Sequence, residues 1–194
     1  KNTEIKIAED GEILARGDQL MQGYWRNEDA TREALIDGWL HTGDVGRLDE
    51  DGYLEITDRK KDIIVNSGGD TLSPQRVEGF LTLQPEIGQA MVHGDKRPHL
   101  VGIIVPDADF ARDWAEENGK SQDLAELTGD AEFARAIDDA VARVNADLAV
   151  GERVRRVTLI AEPFTTDNEM MTPSLKVRRH KVMEAYGERL EALY

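Results

Sequence analysis

The chain has 194 residues, 39 Asp and Glu against 24 Lys and Arg, a formal net charge of −15, and no cysteine. The lack of cysteine excludes disulfides, thiolate metal sites and a cysteine nucleophile. The acidic balance argues against nucleic acid as a partner, because phosphate binding requires a basic face. No apolar run approaches the ~20 residues of a membrane-spanning helix. The chain begins at Lys1 without an initiator Met and enters directly into a strand-like alternation, so we expect it to be a piece of a longer protein.

The first third of the chain alternates apolar and polar residues as strands do. Turn residues between the apolar segments predict two hairpins and one further short strand. The predicted strands are Glu4–Ala8, Glu12–Ala15, Val45–Leu48, Tyr53–Thr57 and Ile63–Val65. A short helix is predicted over Thr31–Ile36.

From Ser73 onward the pattern changes to helices mixed with strands. Ser73-Pro74 is typical of a helix start, because Ser can accept from a free amide and Pro tolerates the first helical position. Asp107 is predicted to cap a second helix. The strongest helix is Ala131–Leu148, whose apolar residues form one stripe. The other predicted elements are strands over Gly88–His93, Leu100–Val105 and Val157–Ala161 and a final helix over Val177–Leu193.

A basic run, Arg59-Lys60-Lys61, interrupts the acidic chain where the strand-rich part ends. We place a domain boundary there, with domains over 1–58 and 59–194. The first segment is too short and too rich in edge strands to be a complete domain, so we expect it to be the C-terminal edge of a larger one. The second is predicted to be an α+β domain with a small mixed sheet flanked by helices.

Three short motifs carry candidate chemistry, and the first is Thr42-Gly43-Asp44. Glycine lets the backbone approach a ligand closely, and the two oxygens of the Asp44 carboxylate could accept from both hydroxyls of a cis-diol such as ribose. On spacing alone, an ordinary Asp turn is the better explanation of so short a motif.

The second motif joins the basic run to a glycine-rich turn. The planar guanidinium of Arg59 suits a pair of sugar hydroxyls or a phosphate, and Ser67-Gly68-Gly69 could let a narrow ligand lie against bare backbone. A hairpin with a solvated basic strand is an equally good local interpretation.

The third motif is the densest basic stretch, with five basic residues in six positions: Lys176, Arg178, Arg179, His180 and Lys181. An acidic protein repels an anionic substrate, so a basic tip is where such a substrate would be tolerated. A solvated helix N-terminus would prefer Asp or Glu, and this favours a functional interpretation. The four histidines are scattered without metal-ligand spacing, so no metal site is predicted in this chain.

In their order and spacing, these motifs closely resemble the C-terminal part of the adenylate-forming acyl-CoA synthetase superfamily. The residues that carry the resemblance include Trp39 to Asp44, Asp58 to Asp62, Ser67-Gly68-Gly69 and Pro173 to Lys176. They look most like the long-chain fatty acid–CoA ligases. Superfamily members often have Gly before the arginine, where this chain has Asp58.

The resemblance implies a two-step, ATP-dependent reaction. A carboxylate and ATP form an acyl-adenylate and pyrophosphate, and the thiol of coenzyme A then displaces AMP. By resemblance, Asp44 and Arg59 bind ATP and AMP, Lys176 is the catalytic lysine of adenylation, and Lys61 is the hinge about which the small domain rotates. Ser67, Gly68 and Gly69 match the loop that lines the coenzyme A tunnel.

The resemblance also implies ATP, Mg²⁺ and coenzyme A as cofactor and substrates, with the main Mg²⁺ site and the fatty-acid pocket in an N-terminal domain of the same chain upstream of Lys1. We therefore expect residues 1–194 alone to make no acyl-CoA. The implied ligase of fatty acid metabolism is cytoplasmic, with peripheral membrane association left open.

Two other functions are compatible with the sequence. One is an adenylation domain that loads a carrier-protein phosphopantetheine, although such domains usually read Gly-Arg-x-Asp with Lys-x-x-Gly, unlike residues 58–69 here. The other is a non-catalytic interaction or regulatory module, against which the presence of Asp44 and Lys176 argues.

Overall fold

The computed structural model describes residues 3–194, which form two compact units divided between Ile63 and Ile64. The division between the units thus falls at Ile63, a few residues after the boundary that the sequence predicts. None of the helices within residues 3–194 is long and apolar enough to cross a membrane.

The first unit is an antiparallel sheet with one short helix. Its elements are β1 (Glu4–Ile7), β2 (Glu12–Arg16), α1 (Glu28–Ala34), β3 (Leu35–Ile36), β4 (Trp39–Leu48) and β5 (Leu54–Arg59). The sheet has the order β1-β2-β4-β3, and β5 also pairs with β4. Both predicted hairpins are present, as β1 with β2 and β4 with β5. The ten-residue strand β4 is therefore the strand on which this unit is built.

The predicted helix over Thr31–Ile36 is wrong in its position. The helix begins at Glu28, because Asn27 accepts a hydrogen bond from the backbone N–H of Ala30 at 3.0 Å and caps its N-terminus. Leu35–Ile36 is a strand that pairs with the start of β4. The turn between them is Asp37-Gly38, where both residues have positive φ, as a tight hairpin requires.

The second unit mixes strands and helices. Its elements are β6 (Ile64–Val65), β7 (Thr71–Leu72), α2 (Pro74–Thr82), β8 (Ile87–His93), β9 (Leu100–Pro106), α3 (Ala108–Asn118), α4 (Leu124–Leu127), α5 (Ala131–Asp147), β10 (Val154–Leu159) and α6 (Arg179–Glu191). The sheet has the order β10-β9-β8, with β8 antiparallel and β10 parallel to β9. The α+β class and the small mixed sheet are as predicted.

Two apolar clusters cover this sheet, and β9 contributes to both. Leu100 and Ile104 of β9 lie in one cluster, with buried residues of α2, α3 and α5. Val101, Ile103 and Val105 lie in the other, with buried residues of α6. This alternation follows from the two-residue period of a strand, so β9 is buried along its whole length.

The predicted apolar stripes occupy these clusters. On α5 the stripe consists of Phe133, Ile137, Val141, Val144 and, just past the helix, Leu148, all of them buried. Asp107 caps α3 by accepting from the backbone N–H of Asp109 and Phe110. The last helix begins at Arg179 rather than at Val177, so Lys176 lies in the loop before it. The dipole argument made from the sequence therefore does not apply to Lys176.

Candidate functional site

In the first unit, the structure brings Asp44 and Arg59 together. They face each other across β4 and β5, and they form an ion pair in which the Arg59 Nε lies 2.8 Å from the Asp44 Oδ1. The side chains are 26% and 48% exposed respectively, so the pair is open to solvent. Among residues 3–194, Oδ2 of Asp44 has no hydrogen-bond donor, which leaves one carboxylate oxygen free to accept from a ligand.

The turn before Asp44 is a bulge in β4. The register with β2 shifts between Glu12 and Leu14, and Gly43 adopts φ +69. The Thr42 hydroxyl donates to the Ile13 carbonyl oxygen at 2.7 Å and accepts from the Asp44 N–H at 3.1 Å. Bulges of this kind redirect a side chain at the edge of the regular pairing, and here the redirected side chain is Asp44.

Glu12 organises this bulge from the neighbouring strand. Glu12 is only 3% exposed. Its carboxylate accepts hydrogen bonds from the Gly43 N–H, from His41 Nδ1 and from Lys60 Nζ, each at 2.9 Å. Sequence reasoning gave Glu12 no role. The available sequence signal was a charged residue at the start of a predicted strand, directly followed by three apolar residues. The structure buries all four.

The charges around Glu12 stabilise one another. Burial by itself raises the pKa of the Glu12 carboxyl, but the hydrogen bonds from Lys60, His41 and Gly43 outweigh it and hold that pKa below its ordinary value. Hydrogen bonds to Asp10 and then to Glu12 raise the pKa of the Lys60 ammonium. The Glu12 carboxylate and the Lys60 ammonium are therefore both charged at neutral pH.

Lys61 lies in a single 3-10 turn, Lys60–Asp62, directly after β5. Its side chain is exposed. The turn ends one residue before the division between the two units, which falls at Ile63.

In the second unit, Ser67-Gly68-Gly69 forms an exposed loop between β6 and β7. The buried Asn66 side chain holds this loop, because its Oδ1 accepts from the backbone N–H of Gly68 and of Asp70, each at 2.9 Å. The Ser67 N–H donates to the Arg97 carbonyl oxygen at 3.0 Å. A Cβ atom at Gly69 would meet no neighbour within 4 Å, whereas one at Gly68 would lie 3.2 Å from the Asn66 Oδ1.

Lys176 lies just beyond the tip of a tight turn. Met171 and Val177 form an isolated antiparallel bridge, and the Leu175 N–H donates to the Thr172 carbonyl oxygen at 2.9 Å. Leu175 has φ +60, which closes the turn. The Lys176 side chain is exposed, and within residues 3–194 no carboxylate lies at salt-bridge distance from its ammonium.

Two other basic residues of this stretch pair with carboxylates inside the unit. Arg179 donates to Glu78 Oε2 at 2.6 Å and to the Val92 carbonyl oxygen at 3.1 Å, and Lys181 donates to Glu184 at 2.9 Å. Arg179 therefore serves to attach the start of α6 to α2 and β8.

The predicted site residues thus fall into two sets. Asp44, Arg59 and Lys61 belong to the first unit, and Ser67, Gly68, Gly69 and Lys176 belong to the second. Within residues 3–194, no group of three or more His, Asp or Glu side chains is arranged to hold a metal ion.

Residues 61–194 match the sequence model of the AMP-binding enzyme C-terminal domain family. The chain belongs to this family.

Two relatives are long-chain fatty-acid–CoA ligases. The chain is 41% identical over 192 residues to long-chain-fatty-acid–CoA ligase FadD15 of Mycobacterium tuberculosis, covering 98% of this chain and 32% of that protein. It is 35% identical over 189 residues to long-chain-fatty-acid–CoA ligase 6 of Rattus norvegicus, covering 95% of this chain and 27% of that protein. This member of the AMP-binding C-terminal family thus spans about a third of the length of these relatives.

Solved structures share the fold. The A domain of the carboxylic acid reductase from Segniliparus rugosus, in complex with AMP and a carboxylic acid, matches 100% of this chain and 31% of that chain, with a TM-score of 0.82 and 24% identity. O-succinylbenzoate coenzyme A synthetase from Bacillus subtilis, in complex with ATP and a magnesium ion, matches 92% of this chain and 33% of that chain, with a TM-score of 0.63 and 26% identity.

The Arg179–Glu78 pair leads to a prediction about the stability of the second unit. Both side chains are largely buried, at 20% and 11% exposure. Arg179→Ala removes the cation opposite a buried carboxylate, so we expect it to lower the free energy of unfolding by about 3 kcal/mol. Urea unfolding of the chain followed by circular dichroism measures this change. Arg135→Ala, at an exposed position of α5, is the matched control and should stay within about 0.5 kcal/mol; equal effects of the two substitutions would contradict the structural role of the pair.

Proposed function

We propose that this chain is the C-terminal part of an ATP-dependent, AMP-forming long-chain fatty acid–CoA ligase. The observation that carries the proposal is the 41% identity, over 98% of the chain, to a long-chain-fatty-acid–CoA ligase. In the first step a carboxylate oxygen of the acid attacks the α-phosphorus of ATP, and the bond to pyrophosphate breaks. In the second step the sulfur of coenzyme A attacks the acyl carbon, the bond to AMP breaks, and the thiol proton passes to solvent.

Asp44 and Arg59 are the proposed nucleotide-binding pair. A carboxylate accepts from two vicinal hydroxyls of a ribose, and Arg59 holds one oxygen of Asp44 at 2.8 Å while the other oxygen has no donor within the described chain. Arg59 thereby orients the carboxylate. The half-exposed guanidinium can in addition contact a ribose or phosphate oxygen.

Lys176 is the proposed catalytic residue of adenylation. Its ammonium would stabilise the negative charge that develops between the attacking carboxylate and the α-phosphate, and this is an electrostatic form of catalysis. The proposal is supported by its exposed position and by the lack of a competing carboxylate among residues 3–194. In a chain of net charge −15, an unpaired ammonium is the kind of group that can attract an anionic substrate.

Lys61 is the proposed hinge, and Ser67-Gly68-Gly69 is the proposed coenzyme A loop. Support for the hinge comes from the isolated 3-10 turn that contains Lys61, close to the division between the units. Support for the loop comes from its exposed glycines and from the Asn66 side chain that fixes its backbone. We retain 1–58 and 59–194 as the proposed functional domains on either side of this hinge.

The substrates of the proposed ligase are ATP, a fatty acid and coenzyme A. Mg²⁺ belongs with ATP in this chemistry, but residues 3–194 supply no set of three ligands for it, so the roles proposed here involve no metal contact. The remaining partner is an N-terminal domain of the same chain, and the proposed compartment is the cytoplasm.

The first prediction of this proposal separates the two half-reactions in the full-length ligase. Lys176→Ala should slow formation of acyl-adenylate and pyrophosphate by about 10²–10³-fold, because it removes a charge that acts only in that transition state. Thioester formation from supplied acyl-adenylate should remain close to that of the unmodified enzyme. Pyrophosphate release and acyl-CoA formation, measured separately, check both rates.

Arg155→Ala is the control, because it removes one positive charge at an exposed position of β10. It should change neither rate. An equal loss of both half-reactions in Lys176→Ala would show that the assigned role is wrong. Transfer of the acyl group to a phosphopantetheinylated carrier protein, with none to coenzyme A, would favour the carrier-loading alternative.

The second prediction concerns the hinge. Lys61→Pro fixes φ at this position and restricts Lys60 before it, so we expect selective loss of the second half-reaction with adenylation largely retained. Lys61→Ala keeps the backbone free and should retain both steps. Single-turnover assays of each step check this, and equal loss of both steps in the proline variant would argue against rotation at Lys61.

A further inference from the structure

Glu12 is the most deeply buried charged residue of the first unit that the proposed reaction does not use. It is 3% exposed, and a carboxylate in such a position is stable only when charged or hydrogen-bonding groups surround it. The groups that face it are the His41 imidazole, the Gly43 N–H and the Lys60 ammonium, each at 2.9 Å. Asp10 lies on the far side of the same ammonium, at 2.7 Å.

These contacts join the two chain segments that carry the nucleotide-binding pair. Gly43 directly precedes Asp44, and Lys60 directly follows Arg59. Oε1 of Glu12 holds the first segment through the Gly43 N–H, whereas Oε2 holds the second through the Lys60 ammonium. A single carboxylate therefore ties β4 and the end of β5 to β2.

The hydrogen bond from the Gly43 N–H to Glu12 replaces a backbone hydrogen bond that the β2–β4 pairing lacks. The register shift opposite Glu12 takes the bulge out of the β2–β4 pairing, and a backbone N–H in such a place needs another acceptor. Glu12 supplies it, while the Thr42 hydroxyl attaches the same turn to the Ile13 carbonyl oxygen. Both attachments come from consecutive residues of β2, so β2 determines where the turn lies.

We infer that Glu12 is a positioning residue for nucleotide binding: it holds the Gly43 backbone N–H and the Lys60 side-chain ammonium so that Asp44 and Arg59 face each other in the geometry that binds ribose. Glu12 acts through these neighbours and does not itself touch the nucleotide. This inference rests on the proposed function, because it requires Asp44 and Arg59 to bind ATP.

The sharpest variant is Glu12→Gln, which keeps the size of the side chain. Its single carbonyl oxygen can accept either from Gly43 or from Lys60, and its amide NH₂ then faces the other donor without accepting. The variant should therefore release one of the two segments. Asp10→Asn is the matched control, because it removes the second carboxylate beside Lys60 but leaves the Glu12 contact to Gly43 intact.

Two measurements test the inference together. In residues 1–194, amide hydrogen exchange followed by NMR should show about tenfold faster exchange in Glu12→Gln, either at the Gly43 amide or at the amides around Lys60. Asp10→Asn should leave the exchange rate at Gly43 unchanged. In the full-length ligase, Glu12→Gln should raise the KM for ATP by about tenfold and leave the KM values for fatty acid and coenzyme A within about twofold. Asp10→Asn should leave all three unchanged.

If Glu12→Gln fails to fold, Lys60→Met is the second variant. It keeps the aliphatic stem and removes one of the two contacts, so it should raise the KM for ATP selectively but by less. An unchanged KM for ATP, or an equal rise for all three substrates, would overturn the inference and leave Glu12 a purely structural residue.

Asp44→Ala separates this result from a failure of the proposed function. If that variant also leaves the KM for ATP unchanged, the assignment of Asp44 to the nucleotide is wrong, even where exchange at Gly43 is fast in Glu12→Gln. If Asp44→Ala raises the KM and Glu12→Gln does not, only the positioning role fails.

Discussion

The excess of carboxylates over cations is the constraint on which the rest of this structure depends. With 39 acidic and 24 basic residues, most partly buried cations find a carboxylate, and those pairs connect distant parts of each unit. Lys60 with Glu12 ties the end of β5 to β2, and Arg179 with Glu78 ties α6 to α2. Among residues 3–194, Lys176 is an exposed ammonium without a carboxylate at salt-bridge distance, as are Lys6, Lys61 and Lys96.

A second constraint is the need to satisfy backbone amides where regular structure stops. The bulge at Gly43 and the loop at Gly68 both leave N–H groups outside a ladder, and each is served by one buried polar side chain, Glu12 and Asn66 respectively. Neither side chain faces solvent, yet each decides the shape of an exposed loop. The candidate site therefore depends on buried neighbours as much as on the exposed residues that would contact ligands.

The small sheet of the second unit gives these loops a rigid base. The strand β9 is buried along its whole length and packs helices on both faces through alternate residues. Because α6 packs on one of these faces, the turn that presents Lys176 is attached to the core at Arg178 and Arg179.

Local periodicity and capping were sufficient to predict the α5 stripe, the Asp107 cap and both hairpins of the first unit, because these depend on residues close in sequence. The ordered motifs were likewise sufficient to indicate the family and to propose Asp44, Arg59 and Lys176. The strand Leu35–Ile36, the contact between Asp44 and Arg59, the partners of Arg179 and the role of Glu12 were decided only by the tertiary structure. Each of these depends on strand register or on long-range ion pairing, and no pattern within a short window of sequence specifies which distant residue will lie opposite.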